Sequence, residues 1–525
     1  MPIQSVNPAT GAILRSYPET SAAELEAALV AADATFRDWR LLEAAERARP
    51  LTRAAEILRE RAEGFGRLMA EEMGKPLREG RAEAEKCAWL CDYYAEQAAA
   101  GLASEPVATD AARSYVAYRP LGVILGIMPW NFPFWQAFRF AAPAIAAGNT
   151  VLVKHAPSTT GCALAIEAVF REAGFPAGCY RNLVLEVERV GPLIEDRRLR
   201  GVSLTGSSRA GRAVAARAGA ALKPCLLELG GSDPSVVLAD ADLALAVDQC
   251  LAGRMLNAGQ SCIAAKRFVV VEAVVERFEQ RLRERLMALR AGDPLAPGSD
   301  LGPIARADLR ANLHRQVQQS VAAGARRVLG GELPEGPGFF YPATLLAEVS
   351  PGMPAYDEEL FGPVAVIVPA ADEAEALREY FKRGGFLYAD DCDADVGRLL
   401  QRQPAVAVDR HFAQRRGQPL RGGQRKAAYR YAVARPHQHH PAIEIARATH
   451  AGVGTGGHCA GIHVAGVGHD DGFGPVDGFH RQRRGEQIAD QCLQRAGVRG
   501  VERACNRRGA DRSVGHWREP PEVYS

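Results

Sequence analysis

Apolar residues recur along this chain with two different periods, and the points where the period changes mark its organisation. From Ser21 to about Ala100 the spacing is helical, in text dominated by Ala, Leu and Glu. The stretch SAAELEAALVAADATFRDW opens on Ser21 with Glu24 three positions later, the pattern of a capping box. At Ser114 the pattern switches: SYVAYRPLGVILGIMPW is rich in β-formers and punctuated by Gly and Pro, which predicts strands. Short apolar runs then alternate with helical stretches. NTVLVKHA reads as a buried strand and GCALAIEAVFREAGF as a helix ending at Gly174; RGVSLTGSS and RAGRAVAARAGA repeat the pair. KPCLLELGG, PSVVLADAD and KRFVVVEA are further strands. Strands separated by helices of this length predict an α/β fold of βαβ units, with parallel sheets covered on both faces.

Composition narrows the partners. Of 525 residues, 47% are hydrophobic and 24% charged, ordinary globular values with room for about two to four domains. A formal net charge of +2 gives no reason to expect nucleic acid or an anionic membrane as a partner. No uninterrupted apolar run approaches the roughly 18 residues of a membrane span, and the N-terminus lacks the layout of a signal peptide. Eleven cysteines at irregular spacing read as reduced thiols, so a cytoplasmic protein is expected.

Several segments carry candidate chemistry. In NAGQSCIAAKR, Cys262 sits between small and polar residues; it is either a buried thiol near a loop or a nucleophile held up to a cleft. In GIMPWNFPFWQAFRF, Pro129 and Pro133 restrict the backbone around Asn131, which suits a tight turn or a fixed donor to an oxyanion. LTGSSRAG passes from a strand into a helix and offers Gly206 and Ser207 to a phosphate, without the G-x-G-x-x-G fingerprint. Lys154 closes an apolar strand, where it faces a ligand crevice or snorkels. Glu228 in LLELGG is expected to be desolvated and suited to general-base work, or else paired with a distant Arg. DEELFGP places acidic residues before a Phe and a Gly-Pro turn, which by itself reads as solvated surface.

In that order, PWNFP, LELGG, GQSC and EELFGP resemble the aldehyde dehydrogenase superfamily, from VNPATG near the start to about Arg378. Within it, KHAPSTTGCALAIEAVFREAGFPAG, LELGGSDP and NAGQSCIAAKRF are similar to the bacterial succinate-semialdehyde dehydrogenases. The resemblance implies a Rossmann-like NAD(P)-binding domain over 1–112 and 128–230, oligomerisation strands over 113–127 and an α/β catalytic domain over 231–378. It implies Cys262 as nucleophile, Asn131 as oxyanion donor and Glu228 as the base that activates water. It places Trp130, Lys154, Gly206, Ser207, Glu359 and Phe361 at NAD or NADP, and Arg139 at the distal carboxylate of a small aldehyde. Pro157 stands where a carboxylate would repel a 2′-phosphate, so NADP is expected to be accepted beside NAD. No metal is implied. A homo-oligomer, dimer or tetramer, is expected where the C-terminal region is intact.

After Arg378 the pattern stops. Residues 1–379 carry a net charge of −6 and residues 380–525 a net charge of +8; the latter hold 10 of the 12 histidines. Leu, Ile, Val and Phe number 26 of those 146 residues, about 18%, too few to sustain a core. Such Arg-, His- and Gly-rich text is what a GC-rich gene yields in the wrong frame, so a frameshift near residues 379–390 and an irregular tail are expected. His458, Cys459, His463 and His469, and the DDCDAD cluster, lack metal-site spacing.

Overall fold

Two five-stranded sheets, built mostly from runs of aliphatic residues, position the chemistry of this chain. The computed structural model describes residues 2–382. The tail with His458, Cys459, His463, His469 and DDCDAD lies outside the described residues.

An antiparallel ribbon of β1 (Ile3–Val6) and β2 (Ile13–Tyr17) opens the chain. Helices α1 (Ala22–Trp39), α2 (Ala44–Ala48), α3 (Pro50–Glu60), α4 (Ala62–Met73) and α5 (Leu77–Gly101) follow. The capping box is present: Ser21 Oγ accepts from the Glu24 N–H at 3.2 Å and the Glu24 carboxylate from the Ser21 N–H at 2.8 Å. A short exposed pair, β3 (Glu105–Pro106) and β4 (Tyr115–Val116), comes next.

The first sheet is then laid down as β5 (Val123–Met128), α6 (Pro133–Ala146), β6 (Thr150–His155), α7 (Thr160–Glu172), β7 (Tyr180–Asn182), α8 (Val190–Glu195), β8 (Leu199–Thr205), α9 (Ser208–Ala220) and β9 (Cys225–Glu228). Its strands are parallel in the order β7-β6-β5-β8-β9. Strand β6 is buried at every position, as its unbroken apolar text requires of a central parallel strand. On α6, Phe134, Ala137, Phe138, Ala141, Ala142 and Ile145 form one buried stripe at helical spacing.

One expectation is corrected here. Residues 123–127 were grouped with 113–122 as oligomerisation strands, but they form β5, the middle strand of this sheet. Val123, Leu125, Gly126 and Met128 are buried, and the strand has partners on both edges, which places it in the core.

The second sheet comprises β10 (Asp233–Val237), β11 (Ala265–Val271), β12 (Arg326–Leu329), β13 (Thr344–Ala347) and β14 (Val364–Ala370), in the order β10-β11-β14-β13-β12. Only β12 runs antiparallel to its neighbour. Helices α10 (Leu243–Met255), α11 (Glu272–Met287), α12 (Ala307–Ala322), α13 (Pro354–Asp357) and α14 (Glu373–Lys382) connect and cover it.

In the last turn of α10, Arg254 is fully buried. Its guanidinium donates to the carbonyls of Val364 at 2.6 Å, Leu360 at 2.7 Å, Gly259 at 3.2 Å and to Gly362. Burial pushes its pKa down to about 9, and the charge of Glu359 opposes that fall. One side chain thus clamps the turn that leads into Cys262 onto the loop that leads into β14. Arg254→Met removes the guanidinium donor from all four carbonyls; Gly362 keeps the Val364 N–H at 2.8 Å, and each buried acceptor left unpaired costs about 1–3 kcal/mol. Urea unfolding of the full chain is expected to report a loss of at least about 3 kcal/mol. Arg254→Lys should recover less than half, because one ammonium cannot span both loops.

Candidate active site

The turn after β5 is fixed from three sides. Asn131 is 5% exposed, and its amide nitrogen donates to the Gln260 carbonyl at 3.1 Å. The Asn257 amide donates in turn to the carbonyls of Asn131 at 2.8 Å and Gln260 at 3.2 Å. Below the turn, the Lys75 ammonium lies 3.7 Å from the centroid of the Phe132 ring and pairs with the Glu83 carboxylate, both side chains being buried. Glu83 also accepts the N–H groups of Phe134 at 3.0 Å and Trp135 at 2.9 Å, capping α6 and neutralising its positive end. Trp130 meets Phe361 edge to face, with ring centroids 5.6 Å apart. The two motifs, PWNFP and EELFGP, are in contact. Asn131 keeps a second amide hydrogen beyond the one that anchors it.

The cysteine turn is bent by three residues in the left-handed region: Asn257 at φ 54°, Ala258 at 52° and Gly259 at 73°. A Cβ at Gly259 would stand 2.2 Å from the Gly362 carbonyl, so the clamp between the loops requires glycine there. Ala258 carries its Cβ into this conformation at a cost of about 1–2 kcal/mol. Side-chain bonds offset it, including the Glu79 carboxylate that accepts the Asn257 N–H at 2.7 Å.

Cys262 emerges from this turn partly exposed, whereas Cys87, Cys91, Cys162, Cys179 and Cys250 are buried. Burial pushes the thiols of Cys179 and Cys250 up to about 12, which keeps them inert near neutral pH. The Cys262 thiol is also raised by burial, but the cations of Lys266 and Arg139 pull it back while Glu359 raises it further.

Glu228, at the end of β9, differs from the desolvated lone carboxylate expected. Its side chain is 30% exposed and pairs with Arg139, whose Nη2 lies 3.2 Å from Oε2. The cause is topological: β9 is an edge strand, so its LLE text is covered on fewer sides than a central strand's would be. Arg139, read as substrate-binding or salt-bridged, is salt-bridged here, and its charge also reaches Cys262. The fold thus joins α6, β9 and the cysteine turn.

Of the residues expected at a dinucleotide, Trp130, Lys154, Gly206 and Ser207 lie at the C-terminal ends of strands of the first sheet, and Glu359 and Phe361 on the loop before β14. Lys154 is buried near the end of β6, where burial pulls its pKa down and Glu186 and Glu188 oppose this. Ser207 is the N-cap of α9, its hydroxyl accepting the Ala210 N–H at 3.3 Å, and the Gly206 N–H donates to the Glu228 carbonyl at 3.0 Å. A Cβ at Gly206 would meet nothing closer than 3.6 Å, so the protein's own packing does not demand this glycine. A strand end running into the N-terminus of α9, with space above Gly206, fits a diphosphate. Glu359 Oε1 is buried with no hydrogen-bond partner among the described residues, although the Lys266 ammonium lies 3.0 Å away. The side chain as a whole is 28% exposed, so the carboxylate fits a hydroxyl donor such as a ribose while it faces Lys266. Gly230 leaves the room for it, since a Cβ there would stand 1.9 Å from Glu359 Oε2.

Sequence reasoning passed over Arg254, Asn257, Lys266 and the pair Lys75 and Glu83. Lys266 had a signal, a charge at the mouth of the apolar run FVVV, which is the same signal that singled out Lys154. Arg254 had none: a basic residue in the last turn of a helix is ordinary. Among the described residues no helix is long and apolar enough to cross a membrane, and no cluster of three His, Cys, Asp or Glu could hold a metal.

Comparison with known proteins agrees with this geometry. The aldehyde dehydrogenase family model matches residues 1–380. The Escherichia coli K12 succinate semialdehyde dehydrogenase (NAD(P)+) Sad is 50% identical over 373 residues, which is 71% of this chain and 81% of that enzyme. The Mycobacterium bovis BCG succinate-semialdehyde dehydrogenase (NADP(+)) 1 is 45% identical over 382 residues, 72% of this chain and 83% of its own length. Among solved structures, succinic semialdehyde dehydrogenase from Streptococcus pyogenes in complex with NADP+ aligns with a TM-score of 0.72 at 33% identity, covering 76% of this chain and 89% of that one. With its motifs in contact and its matched region spanning both sheets, the chain belongs to the aldehyde dehydrogenase family.

Proposed function

We propose that this NAD(P)-dependent aldehyde dehydrogenase oxidises succinate semialdehyde to succinate through a thioester on Cys262. The observation that carries this reading is a partly exposed cysteine whose turn is bonded to the Asn131 amide and whose thiol feels the charge of Arg139, the partner of Glu228. The Cys262 thiolate attacks the aldehyde carbon. The second amide hydrogen of Asn131 and the backbone N–H of Cys262 receive the alkoxide. NAD(P), when bound, supplies the acceptor for the hydride that the substrate carbon loses. Glu228 then takes a proton from the water that attacks the thioester, and the acid leaves as the thiol is restored. This base favours hydrolysis over transfer of the acyl group to coenzyme A.

Arg139 gives the substrate class. Its planar fork suits the distal carboxylate of a four-carbon semialdehyde, which would take the place of the Glu228 carboxylate and release that residue toward water. Lys154 would hold the adenine ribose, Gly206 and Ser207 the diphosphate, and Trp130, Glu359 and Phe361 the nicotinamide end. Pro157 brings no negative charge to a 2′-phosphate, so both NAD and NADP are accepted.

A second reading is a chain of dehydrogenase ancestry that no longer turns over. It is favoured by the end of the family match at residue 380 and by the change of composition there. Resequencing codons 370–400 and assaying the full chain separate the two: steady NAD(P)H formation from succinate semialdehyde sustains the first, and none sustains the second.

Two variants test the roles. Arg139→Gln is expected to raise KM for succinate semialdehyde by about 10–100-fold, the value of a charge-assisted contact, while leaving KM for butanal within about threefold. Glu228→Gln should retain a burst of one NAD(P)H per site while steady turnover falls by about 10²–10⁴-fold. Equal loss of burst and turnover would remove Glu228 from the hydrolytic step.

A further inference from the structure

Four residues after the nucleophile, at the mouth of β11, the chain buries a lysine. Lys266 is 1% exposed. Its ammonium folds back over the turn to donate to the Cys262 carbonyl at 2.8 Å, and it lies 3.0 Å from Glu359 Oε1. A buried ammonium is costly unless it is paired and hydrogen-bonded, so an aliphatic residue would serve this strand better if packing were the sole demand.

We propose that Lys266 is the positioning residue of the nucleophile: it ties the Cys262 turn to Glu359 and its charge favours the Cys262 thiolate. The inference rests on the role proposed above for Cys262. The groups facing that thiol come from three elements: Lys266 on β11, Arg139 on α6 and Glu359 on the loop before β14. Burial is the strongest influence raising the thiol; Lys266 is the strongest lowering it, Glu359 raises it and Arg139 lowers it. Lys266 itself faces Glu359, Arg254 of α10 and Asp233 of β10. Burial pulls its pKa down, while the two carboxylates hold it charged. The structure therefore sets a cation and a carboxylate against each other beside one sulfur.

The sign of each contribution supplies the test. Losing the cation disfavours the thiolate, so the pH at which Cys262 becomes reactive rises. Losing the opposing carboxylate lowers it. A purely structural ion pair would loosen the turn in the same way whichever partner was removed.

The experiment is iodoacetamide alkylation of the cofactor-free full chain over a pH series, with Cys262 followed by peptide mass spectrometry. Lys266→Met is expected to move the midpoint up by about one pH unit, Lys266→Arg to restore most of the shift, and Glu359→Gln to move it down. An unmoved midpoint in Lys266→Met, or shifts of the same sign in Lys266→Met and Glu359→Gln, overturns the proposal. Should Lys266→Met fail to fold, Glu359→Gln decides: a downward shift supports the role, and no shift or an upward one overturns it. Cys262→Ala in the aldehyde assay separates the two readings. Persisting oxidation there removes the function proposed for Cys262, whereas an inactive Cys262→Ala with an unmoved midpoint removes only the role of Lys266.

Discussion

The site depends on one buried guanidinium. Arg254 carries a full charge into the interior, where its hydrogen-bond partners among the described residues are carbonyl oxygens from two separate loops. An arrangement of that kind is stable only when every donor has an acceptor at the right angle, so it tolerates little movement of either loop. One loop delivers Cys262 and the other delivers Glu359 and Phe361. The close approach of Gly259 to the Gly362 carbonyl follows from this clamp, as does the strained left-handed run from Asn257 to Gly259. The Cys262 turn and the Glu359–Phe361 loop are therefore held as a single unit, the preorganisation that the proposed chemistry requires.

Around the sulfur the charges alternate. Arg139 and Glu228 form one pair, Lys266 and Glu359 another, and each joins a cation near Cys262 to a carboxylate with a separate task. The pairs differ in environment. Arg139 and Glu228 are 23% and 30% exposed, so solvent screens their attraction. Lys266 is buried, and its ammonium is bonded to the Cys262 carbonyl as well as facing Glu359. One pair is screened by solvent and the other is anchored at a buried ammonium.

Much of this was legible in the text of the chain, for identifiable reasons. Strands such as β6 and β11 are buried on both faces, so their apolar runs needed no partner to be recognised. The Asn131 turn was legible because two prolines leave the backbone few choices. Glu228 misled because an edge strand and a central strand can share one apolar text, and only the strand order tells them apart. Residues 123–127 were expected among the oligomerisation strands for the same reason: β-propensity names a strand without naming its sheet. Arg254 and the Lys75–Glu83 pair were illegible because their partners lie far away in sequence or are backbone groups, which carry no signature of their own.

The central claim is that chemistry passes through a covalent acyl group on Cys262. Acid quenching of the full-length Glu228→Gln chain during reaction with succinate semialdehyde and NADP, followed by peptide mass spectrometry, tests it directly. The account predicts the mass of a succinyl group on the peptide containing Cys262 and on no other cysteine peptide. Succinate formation with Cys262 unmodified, or with the adduct on a different cysteine, would contradict it.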